Sequence, residues 1–248
     1  MISRRVPNAV VVPLLFLACW IFNSIAHGQA TLKICHEAYH NPPYFYLDEG
    51  KPSGILLGIV KEAALSANIN VELYGSSWIR CQNDVKSGRA QALFPMIASD
   101  ERRADFAFPP KTAETDWYMW LAQYPLFIAV NEDFDIDNYQ PQQGIGAPIG
   151  YVVWHKLSQK EWLSPLQYDP VEGFSMLALN KLDGYVVEQQ IGLQLIKEYQ
   201  LANKVKKSNY SFLDTPWYIA FNNDYYRTDA EAVLRFWQKI SEVRTEYQ

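Results

Sequence analysis

The sequence predicts an α/β protein of two lobes, each a mainly parallel sheet with flanking helices, with a cleft between them. Three observations carry this. Strand-like and helix-like segments alternate from Thr31 to Met96, the signature of a parallel sheet covered by helices. A second αβ set occupies residues 123–211. No Gly/Ser-rich or Pro-rich linker lies between the sets, so strands should join them and leave a cleft.

The elements follow in order. Thr31 to Cys35 is a β-rich run, and Asn41-Pro42-Pro43 breaks the chain before Tyr44 to Leu47, which meets a turn at Asp48-Glu49-Gly50. From Gly54 to Ala67 the apolar positions Ile55, Ile59 and Ala63 recur at helical spacing until Asn68. Val71 to Tyr74 reads as a strand, Arg80 to Ser87 as a helix stopped by Gly88, and Ala90 to Met96 as a buried parallel strand. Phe106 to Pro110 is extended. Trp117 to Val130 reads as two strands or one long bent strand, and the polar Asn131 to Gln143 as a surface loop. Ile145 to Val153 reads as strand and turn, Ser175 to Asn180 as helix, Gly184 to Val187 as buried strand and Gly192 to Tyr199 as helix. Trp217 to Phe221 returns as a strand. Ala230 to Val243 is an amphipathic helix with Val233, Phe236, Trp237 and Ile240 on one face.

Composition narrows the function classes. The chain has 248 residues, 49% hydrophobic, with 22 Lys plus Arg against 27 Asp plus Glu, too apolar for disorder. A net charge of −5 argues against nucleic-acid binding, because neutralising phosphates needs a basic surface. At the N-terminus, Arg4 and Arg5 precede an apolar run from Val10 to Ile25 and two small-x-Ala sites ending at Ala26 and Ala30. This order reads residues 1–30 as a secretory signal peptide, the alternatives being an uncleaved anchor or lipidation at Cys19. Removing Arg4 and Arg5 leaves 20 basic against 27 acidic residues, a net of −7, which does not favour anionic membranes. Two cysteines then remain, Cys35 and Cys81. In an oxidising compartment they favour a disulfide, with two buried thiols as the alternative. No zinc-type spacing joins them to His36, His40 or His155, and no cofactor is implied.

Several segments carry a resemblance in order along the chain. They are Pro42-Pro43-Tyr44-Phe45, Lys51 to Ile55, Trp78 with Ser87 to Ala92, and Ser99-Asp100-Glu101-Arg102 with Phe106 to Pro109. In the second half they are Ile145 to Tyr151 and Lys181 to Glu188. Together they resemble family 3 of the bacterial extracellular solute-binding proteins over residues 31–243. The resemblance implies a type II periplasmic binding fold with lobe 1 at 31–122 plus 212–248 and lobe 2 at 123–211. It also implies a monomer in the periplasm that closes on a small, amino-acid-like or carboxylate-bearing solute and hands it to an ABC permease of the inner membrane. The hinge is expected near Trp120 to Gln123 and Ser211 to Thr215.

The same resemblance suggests roles for residues. Arg102 matches the family's grip on the ligand carboxylate, and a planar guanidinium gives that group two parallel charge-assisted hydrogen bonds; a surface Arg among acids, with Arg103 as the ligand contact, is the alternative. Glu188 matches the acid offered to an α-ammonium group, and Glu37, at the end of the first strand, is placed to take a basic side chain. Tyr44 and Trp78 match cleft walls, with a core position the alternative for each; Tyr39 and His40 flank the same loop. Ser99 remains from the family's hydroxyl-bearing turn, whereas Pro95, Met96 and Ile97 replace its small residues, and Gly150-Tyr151 stands where the family has Gly-Thr. These departures, with 16 Tyr and 8 Trp, point towards a less polar or aromatic ligand than the family's usual amino acid. Two other classes compete with the transport protein. One is an extracytoplasmic sensor subunit reporting to a membrane partner. The other is a dehydratase-like enzyme of the same fold, which would need a proton donor such as Glu188, Glu37 or His40.

Overall fold

The chain is described by a computed structural model covering residues 31–38, 40–111 and 116–247. The signal-peptide reading, Cys19 and Tyr39 lie outside the described residues. The elements in chain order are β1 (Leu32–Glu37), β2 (Tyr46–Asp48), β3 (Lys51–Ser53), α1 (Ile55–Ser66), β4 (Val71–Ser76), α2 (Trp78–Lys86), β5 (Ala92–Ile97), α3 (Asp100–Asp105) and β6 (Phe106–Ala107). They continue with β7 (Trp120–Ala129), β8 (Ile145–Gly146), α4 (Val152–Gln159), α5 (Pro170–Ala178), β9 (Gly184–Val186), α6 (Gln189–Glu198), β10 (Val205–Asn222), α7 (Asn223–Thr228) and α8 (Ala230–Val243).

One sheet runs through the molecule in the order β4-β1-β5-β10-β7-β9-β8, with β6 also on β10. At one end β4, β1 and β5 are parallel, with β5 a buried, near-continuous apolar run and β4 a half-exposed edge strand; at the other β8 and β9 are parallel. Between the two parallel sets lie β7 and β10, antiparallel to each other from Val205↔Ala129 to Trp217↔Trp120. Register shifts between Lys207 and Ser211 and between Ser211 and Leu213 interrupt their pairing, which is how β-bulges bend and twist a ribbon. Gln123 pairs with Asp214 and Ala122 with Thr215 in this ribbon.

The longer helices cover the sheet with apolar faces. On α1, Leu56, Leu57, Ile59, Val60, Ala63 and Ala64 are buried, and α1 packs on α8, whose Val233, Phe236, Trp237, Ile240 and Val243 are buried in turn. The Trp237 indole N–H donates to the Ile219 carbonyl (2.8 Å), so this large ring is buried without an unpaired donor. Cys35 and Cys81 form a disulfide, Cα–Cα 5.4 Å, that ties the end of β1 to α2. Among the described residues no helix is long and apolar enough to cross a membrane.

Helices α3 and α7 are not among the elements expected from sequence, α2 and α6 begin two and three residues earlier than expected, and three further segments differ as follows. The strand expected at Trp217 to Phe221 is the last third of β10, whose earlier part is half-exposed and polar, so apolar periodicity does not mark it. The helix expected from Ser175 begins at Pro170, because Asp169 and Glu172 form a reciprocal capping box and Pro170 suits the first turn. The stretch expected as strand and turn up to Val153 gives way to α4 at Val152.

Candidate functional site

The C-terminal ends of β1 and β5, the starts of α2 and α3, and the β8–α4 turn meet at one point. Strand ends of this kind are where ligands meet open α/β sheets. A cavity of about 30 Å³ lies there, lined by Glu37, Tyr44, Trp78, Arg102 and Tyr151 together with Asn41, Phe45, Pro95, Ile97, Tyr124, Val152, Ile191 and Trp217. Of the residues singled out from sequence, five therefore converge. Ser99 does not line the cavity: it caps α3, its Oγ accepting from the Arg102 backbone N–H at 3.3 Å. His40 is exposed and also lies outside the lining.

Arg102 is buried, 9% exposed. One guanidinium nitrogen donates to the Ile97 carbonyl (3.1 Å) and another to the Gly150 carbonyl (2.9 Å), and the group lies 5.6 Å over the Trp78 ring. Among the described residues no carboxylate pairs with it. Burial pushes its pKa down to about 10, so the guanidinium stays charged at neutral pH. The Trp78 indole N–H donates to the same Gly150 carbonyl at 3.3 Å.

Two carboxyls lie nearby that pair with no cation among the described residues. Glu37, 4% exposed, accepts a short hydrogen bond from the Tyr151 hydroxyl. Burial pushes its pKa up to about 7, the Tyr151 bond working the other way. Glu188, 3% exposed, caps α6, its Oε2 accepting from the backbone N–H groups of Gln190 (2.8 Å) and Ile191 (3.2 Å). Burial raises it to about 7 as well, against those stabilising N–H groups. The fully buried Tyr44 hydroxyl has no hydrogen-bond partner among the described residues, and its pKa is driven up by burial and then by Glu188. Its ring meets Trp120 and Trp217 edge-on, at 5.7 and 5.1 Å.

Glycines set the two approaches to the cavity. Gly54 has φ 128°, and a Cβ there would lie 2.1 Å from the Tyr44 carbonyl oxygen, so only glycine lets α1 pack under the Tyr44–Phe45 loop. Gly150, at φ 77°, turns the chain so that its carbonyl meets Arg102 and Trp78 while Tyr151 follows at the start of α4. Sequence reasoning missed Tyr124 and Trp217. Tyr124 is a β7 residue whose hydroxyl accepts from the Trp217 indole at 2.9 Å, and its only sequence signal is the aromatic richness of that strand.

No protein-family model and no curated protein matches the chain. Solved structures do. A histidine kinase sensor domain with similarity to periplasmic binding proteins is 20% identical, with a TM-score of 0.73, over 88% of this chain and 92% of that one. An ancestral arginine-binding protein bound to glutamine is 19% identical, TM-score 0.69, over 88% and 94%. The arginine-, lysine-, histidine-binding protein ArtJ of Geobacillus stearothermophilus is 12% identical, TM-score 0.69, over 88% and 90%. The chain has the fold of the periplasmic binding proteins, and these neighbours are solute-binding proteins and a sensor domain.

Proposed function

We propose that the protein is a periplasmic solute-binding protein that captures a small carboxylate-bearing or amino-acid-like solute by closure of two lobes and delivers it to an ABC permease. Residues 1–30 act as the signal peptide, 31–122 with 212–248 form lobe 1, and 123–211 form lobe 2. The β7–β10 ribbon serves as the hinge. The observation that carries the reading is that one cavity is lined by a buried guanidinium, Arg102, and a buried carboxyl, Glu37, with a second buried carboxyl, Glu188, near Tyr44, none of them in an ion pair among the described residues. A solute with one carboxylate and one cationic group would offset Arg102 and one of the two acids, and the rings of Tyr44 and Trp78 would cover its body. The fold, its solute-binding neighbours and the disulfide, which suits an oxidising compartment, support the same reading.

A thermal-shift panel of amino acids, aromatic acids, polyamines and short peptides tests it. A solute at 100 times its dissociation constant stabilises by about 2.7 kcal/mol, a visible shift for a chain of this size. A solute that stabilises without being consumed supports the reading; the absence of any shift across the panel counts against it. The sensor-domain neighbour favours a second reading, that closure reports the solute to a membrane partner instead. Uptake by a reconstituted permease separates the two.

A further inference from the structure

The cavity is too small for the solute just proposed. About 30 Å³ holds one or two water molecules, and the chain itself supplies what fills the rest. The Gly150 carbonyl sits on the Arg102 guanidinium and the Trp78 indole N–H, both first-half groups suited to an anion. The next residue, Tyr151, packs its ring at 6.3 Å edge-on to Trp78 and donates its hydroxyl to Glu37. One dipeptide from the second half thus presents an acceptor to the cation and a donor to the acid, in the polarity expected of a solute.

Each feature of the dipeptide serves this placement. The positive φ of Gly150 is open to glycine at little cost and strained for other residues, although a Cβ there would make only ordinary contact with Ile79 and Trp78. A phenol combines an apolar ring for the aromatic wall with a terminal donor for the carboxyl; the threonine expected at this position would be too short to fill the same space.

We propose that Gly150–Tyr151 is an internal stand-in for the solute, which holds the cleft closed when empty and which an entering solute must evict. Tyr151 is then a specificity residue: a solute binds only if its contacts to Arg102 and Glu37 exceed those of the dipeptide, so weak or small solutes are rejected. Affinity is lowered by the fraction of molecules in which the phenol occupies the site. This rests on the solute-binding reading for the identity of the site, but the closed empty state does not depend on which solute binds.

The test compares the radius of gyration, by small-angle X-ray scattering without solute, of the wild type, Tyr151→Phe and Tyr151→Ala, followed by the same solute panel on each. The wild type should be the most compact, Tyr151→Phe more open because it loses only the bond to Glu37, and Tyr151→Ala the most open. Both variants should bind a responding solute about tenfold more tightly or better, the order of one hydrogen bond to a charged group. Equal radii in all three overturn the proposal, even if solutes bind. Expanded variants with no solute response in any protein uphold the closed empty state and count against the solute-binding reading. If Tyr151→Ala does not fold, Tyr151→Phe and Glu37→Gln, which alter the two ends of one hydrogen bond, carry the comparison of radii.

Discussion

Replacing Glu37 with Gln should flatten the dependence of stability on pH. Glu37 is buried with no cation, and its pKa rises from 4.5 to about 7 on folding. A carboxyl that holds its proton more tightly when folded contributes its full stability below pH 4.5. That contribution is lost as pH rises through 7, since the unfolded chain ionises first. A shift of this size corresponds to about 3 kcal/mol for the carboxyl, or roughly 6–12 °C in the melting temperature of a chain of this length. The assay is the melting temperature from pH 4.5 to 8.5 for the wild type, Glu37→Gln and Glu188→Gln. Each variant should melt above the wild type at pH 8 and converge on it near pH 5. His36 is buried with a lowered pKa and works in the opposite sense, but it is common to all three proteins and cancels in the difference. Parallel curves for wild type and Glu37→Gln would refute the reasoning, because they would mean that the carboxyl stays solvated and ionised.

Other predictions follow from single contacts. Arg102→Ala should weaken a carboxylate solute more than tenfold in calorimetry and also lower stability by about 1–3 kcal/mol, because the Ile97 carbonyl loses its guanidinium donor and the Gly150 carbonyl keeps only the Trp78 indole. Arg102→Lys should restore little of the affinity, since an ammonium cannot reproduce the fork. Opening the Cys35–Cys81 bridge by a Cys81→Ser change should cost roughly 2–4 kcal/mol in denaturant titration, and peptide mass after alkylation without reduction should find neither cysteine modified in the wild type. Asp169→Ala, which removes the capping box of α5, should cost about 1 kcal/mol by the same titration and leave solute affinity unchanged.

Glu37, Tyr44, Trp78, Arg102 and Tyr151 were singled out through the family resemblance, and the structure brings these five to one cavity. Glu37 ends an apolar strand, Trp78 opens a helix, and Arg102 lies one turn inside a helix that Ser99 caps. Reading Ser99 as a ligand contact was reasonable from a hydroxyl at that place, but the backbone of α3 uses the hydroxyl first. Glu188 carries the same double meaning, since an acid just past a strand serves equally as a helix cap. Tyr124 and Trp217 were illegible: an aromatic residue on a buried strand looks the same in sequence whether it faces core or cavity.

The amino-acid sequence by itself determined the alternation of strands and helices, the amphipathic faces of α1 and α8 and the pair of cysteines. These depend on spacings of a few residues, where periodicity and turn chemistry act. The tertiary structure alone decided that β7 and β10 carry one sheet through both halves, because the polar, half-exposed part of β10 has no apolar period to mark it. It alone decided that Gly150 and Tyr151 answer Arg102 and Glu37 across 48 and 114 residues of chain. Contacts over such separations arise from how two lobes meet, and side-chain spacing along the chain does not encode that meeting.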